Sequence, residues 1–242
     1  MKLIKPSYTI TTPIDGEQIL KQIEVAARTC YKSEGRIEHG ENGEAISARK
    51  LIKGVLLSKG HEAMLEFGGM ISVKFTCDRG VSHELVRHRI ASFAQESTRY
   101  VDYSDEQKNG ADIQFILPPW VDEIQLGIHD SKLIAKQFAE IPEEQEFTDK
   151  DYNELVFLNA MATAEISYQS LLKRGWKPQE ARAVLPNSLK TEINMACNLR
   201  EWRHFFKLRC STAAHPQMRE LTIPLLEDFK KQIPIIFDDI TF

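Results

Sequence analysis

Two stretches far apart in the chain alternate apolar and polar residues with a period of two: MISVKFTC at 70–77 and SLKTEINMA at 188–196, where Leu189, Thr191, Ile193 and Met195 share one side. Such alternation marks a strand with one face buried. Almost every other periodic segment is helical in spacing. EQILKQIEVAARTCY at 17–31 repeats its apolar residues at helical intervals, and a second helix is predicted from Ser47 to about Ser58. DRG at 78–80 reads as a turn, after which VSHELVRHRIA at 81–91 starts a helix with Ser82 as its N-cap. IQFILPP, from Ile113, is a short strand stopped by two prolines. A long helix is predicted from Tyr152 to about Arg174, a short one in PQEARAVLP, and further helices at about 198–209 and 216–232, the last with Pro216 near its start. There is no regular strand–helix–strand alternation and no GxGxxG turn, which excludes a Rossmann or P-loop site. The chain therefore reads as mixed α and β with helices dominant. No linker divides it, so a single domain, 1–242, is expected, with the acidic stretch at about 121–149 as an insertion holding a helix.

The formal charge of −4 provides no global basic field to recruit nucleic acid or a membrane surface. No apolar run approaches a membrane span, and MKLIKPSYTI lacks the apolar centre of a signal peptide. The four cysteines, Cys30, Cys77, Cys197 and Cys210, form no CxxC pair. A cytoplasmic protein with reduced thiols is the expectation.

Against this mildly acidic background, RHRIASFAQESTRY at 87–100 concentrates three Arg, one His, two Ser and one Thr. On a helix, successive side chains point about 100° apart, so Arg87, His88 and Arg89 fan outward and cannot all grip one anion. Ser97 and Arg99, separated by one residue, fall on the same side of an extended or turned segment and offer a hydroxyl and a guanidinium fork to one phosphate. Backbone N–H groups of the SFAQEST loop can add to such a nest. Any one of these arginines is explained by solvation alone; the cluster is not. A second basic group, REWRHFFKLR at 200–209, places Arg200, Arg203 and Lys207 on one helix face, where surface pairing accounts for Arg200 and Lys207. Arg209 closes that helix and leads into the polar loop CSTAAHPQ.

RHR followed by seven residues and then Ser, here Arg87-His88-Arg89 and Ser97, resembles the signature of the flavin-dependent thymidylate synthases. GHEAMLEF at 60–67, CDRGVSHELV before the motif, Tyr100 after Arg99, ARAVLP at 181–186, NLREWRHFFKLR at 198–209 and HPQ at 215–217 are similar to that family in the same order. The resemblance implies an α+β fold, a single mixed domain that is helix-rich with an antiparallel sheet. It implies a homotetramer with active sites at subunit interfaces, each holding FAD. The reaction implied is reductive methylation of dUMP to dTMP, with methylenetetrahydrofolate as carbon donor and NADPH as reductant of the flavin. Carried over position by position, His61, Arg87, His88, Arg89, Gln95, Asn198 and His204 would meet the cofactor. Glu84, Arg87, Gln95, Glu96, Ser97, Thr98, Arg99, Arg182 and Arg209 would meet dUMP, with Arg209 favouring ionisation of the uracil. This chain departs from the family in Phe67, often His, in Glu84, Gln in others, in Gln95, Glu in some, and in His204, often Asn.

The residue types fit a mechanism without an enzymatic nucleophile. None of the four cysteines follows a proline or sits in a setting that depresses a thiol pKa, and Ser97 lacks GxSxG. A non-catalytic nucleotide- or RNA-binding protein stacking bases on Phe93, Tyr100 or Tyr103 is the alternative, weakened by the negative charge. A metal enzyme using His61, His83, His88 and Cys77 is disfavoured, because HExxxE is not HExxH and His83 and His88 lie five apart. No metal, nucleic acid or membrane partner is expected, and His39 and His129 read as surface loop residues.

Overall fold

The computed structural model describes residues 1–103, 113–122, 124–142 and 144–242. The chain divides into two compact units, each assembled from three separate segments.

The first unit comprises Met1–Ser7, Thr76–Glu84 and Gln95–Ile193. Strand β1 (Lys2–Ile4) lies between β5 (Gln114–Ile116) and β6 (Gly127–Ile128). It pairs parallel with β5, Leu3 opposite Phe115, and antiparallel with β6, Lys2 opposite Ile128. The parallel pairing is possible because more than a hundred residues of chain separate the two strands. Leu3, Phe115, Leu117 and Leu189 pack with Ala162 and Tyr168 of the long helix α5 (Asp149–Lys173). That helix starts before Tyr152 because the Thr148 hydroxyl accepts from the Asp151 N–H. The expected helix within 121–149 is α4 (Ser131–Ala139), capped by Asp130. PQEARAVLP forms α6 (Pro178–Ala181) and a 3₁₀ turn at Arg182–Val184.

The second unit comprises Tyr8–Phe75, Leu85–Ala94 and Asn194–Phe242. Helix α1 (Gly16–Tyr31) is capped by Asp15, whose side chain accepts from the Gln18 N–H. The helix expected from Ser47 is α2 (Ile46–Leu51), which passes into a π-helical stretch, Ile52–Leu57. GHEAMLEF becomes a 3₁₀ helix, Glu62–Gly68. Helices α7 (Leu199–Arg209) and α8 (Pro216–Gln232) enclose an aromatic core of Trp202, Phe205, Phe206, Phe229 and Phe237, and the Trp202 indole donates to the Ile71 carbonyl.

A four-stranded sheet runs in the order β2 (Ser7–Ile10), β3 (Met70–Asp78), β7 (Lys190–Asn198), β4 (Ser92–Gln95). Both predicted alternating strands are present. Ile71, Val73, Phe75 and Cys77 are buried on β3, and Thr191, Ile193, Met195 and Cys197 on β7. Strand β4 was expected to be loop, since SFAQ has neither β-branched residues nor alternation to announce it.

Candidate active site

Helix α3 (Arg79–Leu85) begins earlier and ends sooner than expected. Asp78, not Ser82, supplies the cap, its carboxylate accepting from the Val81 N–H at 2.8 Å, so DRG opens the helix and is no separate turn. The Ser82 hydroxyl donates to the Arg79 carbonyl instead. The RHR tripeptide therefore lies in a turn beyond α3. What ends the helix is tertiary: His88 is 3% exposed, inserted against the Phe205 ring at 5.0 Å, while Arg87 and Arg89 remain exposed on either side of it. The outward fan expected of the two arginines holds, on turn geometry and not helical geometry.

His88 links two residues of α7. Its Nδ1 is 3.0 Å from Glu201 Oε1, and Arg209 Nε donates to its Nε2 at 3.1 Å. A guanidinium cannot accept a hydrogen bond, so Nε2 carries the lone pair and Nδ1 carries the proton donated to Glu201. The imidazole is neutral in this arrangement. Burial pushes its pKa below the ordinary histidine value; the Glu201 hydrogen bond opposes that shift and the Arg209 charge adds to it. Arg209 is fixed from its backbone too, its carbonyl accepting from the Thr222 hydroxyl at 2.9 Å.

His88, Glu201 and His204 offer ligand atoms within 4.8 Å of one another. They are a poor metal site nonetheless: both ring nitrogens of His88 are already engaged, and the Arg209 cation would face the metal. The His61 ring contacts the Tyr31 hydroxyl through Nδ1 at 2.9 Å.

Beside this chain of hydrogen bonds, in the same unit, lies a cavity of about 430 Å³ lined by Glu62, Glu66, Ile90, Asn198, His204 and Lys207, among others. Asn198 caps α7, its carbonyl oxygen accepting from the Glu201 N–H, which leaves the amide NH₂ to donate to a ligand. The basic face of α7 is paired with acids: Arg200 with Glu66 at 2.7 Å and Lys207 with Glu62 at 3.2 Å. Arg203, which sequence spacing placed on that surface face, is 1% exposed and holds Glu62 and Asp239. Burial alone would raise the Glu62 pKa; hydrogen bonds from Arg203 and Lys207 outweigh it and hold the carboxyl below its ordinary value. The sequence reading missed Glu62, Glu66 and Ile90 as lining residues, although each lies inside or next to a quoted motif.

In the first unit, a second set of expected residues converges. Arg182 donates to the Thr98 hydroxyl at 2.9 Å. The Ser97 hydroxyl accepts from the Arg99 N–H at 3.3 Å, and the Ser97 carbonyl accepts from Tyr100 and Val101, so Ser97–Arg99 is a tight turn with an exposed guanidinium. Gln95 and Glu96 brace the base of this turn. The Gln95 amide donates to Ser82 and Thr191, while Glu96 takes Lys190, the Tyr103 hydroxyl and the Glu192 N–H. Burial first, and then Glu96, raises the Tyr103 phenol pKa. Glu84 is half-buried on α3.

Burial raises the pKa of Cys77, Cys197 and Cys210, which leaves exposed Cys30 as the accessible thiol, on α1.

The fold is α+β and helix-rich, and it recurs in solved structures. Thymidylate synthase X from Helicobacter pylori, determined with FAD and dUMP, matches 97% of this chain and 98% of its own with a TM-score of 0.66 at 21% identity. A UMP/dUMP methylase from Streptomyces cacaoi bound with 5-Br dUMP matches 98% of this chain and 96% of its own with a TM-score of 0.71 at 20% identity. At the sequence level, the model of the thymidylate synthase complementing protein family matches residues 14–235, which run through both units. A flavin-dependent thymidylate synthase of Geobacter sulfurreducens is 32% identical over 217 residues, 90% of this chain and 80% of the relative. Another, of Mycobacterium leprae, is 32% identical over 240 residues, 98% of this chain and 85% of the relative. The chain belongs to the thymidylate synthase complementing protein family.

Proposed function

We propose that this chain is a flavin-dependent thymidylate synthase that methylates dUMP reductively to dTMP, using FAD, methylenetetrahydrofolate and NADPH. The observation that carries the reading is the Glu201–His88–Arg209 hydrogen-bond chain, built from the RHR motif and the two ends of α7 beside a cavity of about 430 Å³. The cavity suits FAD chemically. Ile90 offers an apolar wall, and Asn198 and His204 offer polar atoms to a flavin edge. Arg200 and Lys207 are held only by exposed ion pairs, which are weak enough to be exchanged for a phosphate. Arg87, Arg89 and His61 are the further cofactor contacts in this reading, and Gln95 acts from its braced position. Bound FAD, once reduced, supplies the hydride, while methylenetetrahydrofolate supplies the carbon.

The chain's own residues orient and polarise. For dUMP, the Ser97–Arg99 turn with Thr98 and Arg182 is the phosphate contact in this reading, and Glu84, Arg87, Gln95, Glu96 and Arg209 are the remaining contacts. A guanidinium held at a uracil oxygen stabilises the anion of the ring and makes its C5 carbon a better nucleophile, with no enzymatic thiol required. Neutral His88 can orient Arg209 without repelling it. We further propose a single functional domain acting as a cytoplasmic homotetramer with active sites at its subunit interfaces. Among the described residues, no helix is long and apolar enough to cross a membrane.

The test is anaerobic turnover of the purified chain with FAD, dUMP, methylenetetrahydrofolate and NADPH, reading dTMP by mass spectrometry. We expect product from the wild type and a loss of about 10²–10³-fold in kcat for Arg209→Ala, with FAD still bound. Wild-type protein that holds FAD and dUMP yet forms no dTMP would overturn the proposal.

A further inference from the structure

A second cavity in the same unit, of about 690 Å³, is lined by the last turn of α1 and by the π-helical stretch that follows α2. Its charge is one-sided: Arg28, Lys32, Arg36 and Lys59 line it together with His61, and no carboxylate is among its lining residues. Arg28 is spent internally, its Nε and Nη2 both on buried Glu24 at 3.1 and 2.9 Å. Lys32, Arg36 and Lys59 are exposed and make no ion pair with another described residue. Three exposed cations gathered around one recess favour an anion bound between them.

Two backbone irregularities meet at this recess. Lys32 sits in the left-handed region, φ 47° and ψ 49°, at the position after a helix end where glycine or asparagine is usual. That conformation costs a lysine on the order of 1 kcal/mol, a cost that persists only where the surroundings impose it. The lining also includes Val55 of the π-helical stretch Ile52–Leu57, a geometry found often at functional sites. His61 lines the recess, and the next residue, Glu62, lines the 430 Å³ cavity assigned above to the flavin.

We propose that this recess holds the polyanionic end of a co-substrate whose reactive ring is delivered to the flavin, with Lys32, Arg36 and Lys59 as its ligands. The inference rests on the thymidylate synthase reading and adds to it an anchoring site. Two co-substrates carry that chemistry: NADPH, through its 2′-phosphate, and methylenetetrahydrofolate, through a γ-linked oligoglutamate tail. In both, several anionic oxygens lie at the end remote from the reacting atoms, where binding energy positions the ring.

The test uses the FAD-loaded wild type and the charge-reversed double variant Arg36→Glu/Lys59→Glu, which changes only exposed side chains and whose thermal unfolding is compared with wild type. Four steady-state KM values are measured: NADPH against NADH, and the monoglutamyl against the pentaglutamyl folate. The expected result is a rise of about tenfold or more in KM for the polyanionic member of one pair, with KM of its less charged counterpart and kcat within about twofold. A collapse of the NADPH preference assigns the recess to the 2′-phosphate; a collapse of the pentaglutamate advantage assigns it to the folate tail. If neither ratio moves while the wild type turns over, the anchoring site is wrong and the synthase reading stands. Weakened FAD binding in the variant would likewise overturn it, by giving the recess to the resident flavin. A wild type that makes no dTMP with FAD bound sinks the synthase reading itself.

Discussion

At the scale of single residues, the decisive group is His88, because one imidazole ties the carboxylate of Glu201 to the guanidinium of Arg209. Its depressed pKa fixes the sign of a pH dependence. The folded state prefers the neutral ring, so this contribution is fully present above the ordinary histidine pKa of about 6.5 and is lost as pH falls below it. Protonation at Nε2 breaks the hydrogen bond from Arg209 and sets two cations against each other. Turnover should therefore show an acid limb. In the proposed mechanism Glu201 positions His88, and Glu201→Gln should lower kcat by about 10–100-fold with FAD uptake and folding intact. Glu201 favours the protonated ring, so the same substitution should also move the acid limb to lower pH. An unmoved limb, or one moved upward, would contradict the relay. The opening motif made His88 conspicuous in the sequence, but its partners were not legible there. Glu201 is 113 residues away, and REWRHFFKLR reads as a basic helix whose lone acid has no evident role.

At the scale of elements, the 3₁₀ helix Glu62–Gly68 carries Glu62 and Glu66 into the 430 Å³ cavity and is held by close packing at buried Gly68. A Cβ there would stand 2.4 Å from Leu199 Cδ1 and 3.1 Å from Ile23 Cδ1, where the start of α7 meets α1. Gly68→Ala should destabilise the protein by about 1–3 kcal/mol through overpacking, seen as a lower midpoint in thermal unfolding. A midpoint equal to wild type would show that the Leu199 and Ile23 side chains yield without cost. Elements with long periodic patterns were legible in the sequence: α1, α5, α7, α8, β3 and β7 lie where spacing placed them. Those decided by tertiary contact were not. Strand β4 has no pattern of its own, α3 stops where His88 turns inward, and the predicted helix from Ser47 changes to π geometry at Ile52. Arg203 shows the same limit, since helical spacing gives its face but not the depth at which Glu62 and Asp239 bury it.

For the whole molecule, the net charge of −4 coexists with two local basic concentrations. One is the RHR-to-Arg99 segment, and the other is the recess around Lys32, Arg36 and Lys59. Neither requires the chain to be basic overall, which is why composition excluded a nucleic-acid field but could not find the sites. Family membership across residues 14–235 explains why two units interleaved in sequence carry one set of motifs in one order. The central claim, flavin chemistry on dUMP, is tested most directly by the absorbance spectrum of the purified protein during anaerobic addition of NADPH, with dUMP present. Flavin bands near ~375 and ~450 nm that bleach on reduction, followed by recovery of the bands and formation of dTMP on adding methylenetetrahydrofolate, are the predicted result. A colourless protein that takes up no added FAD would contradict the account at its root.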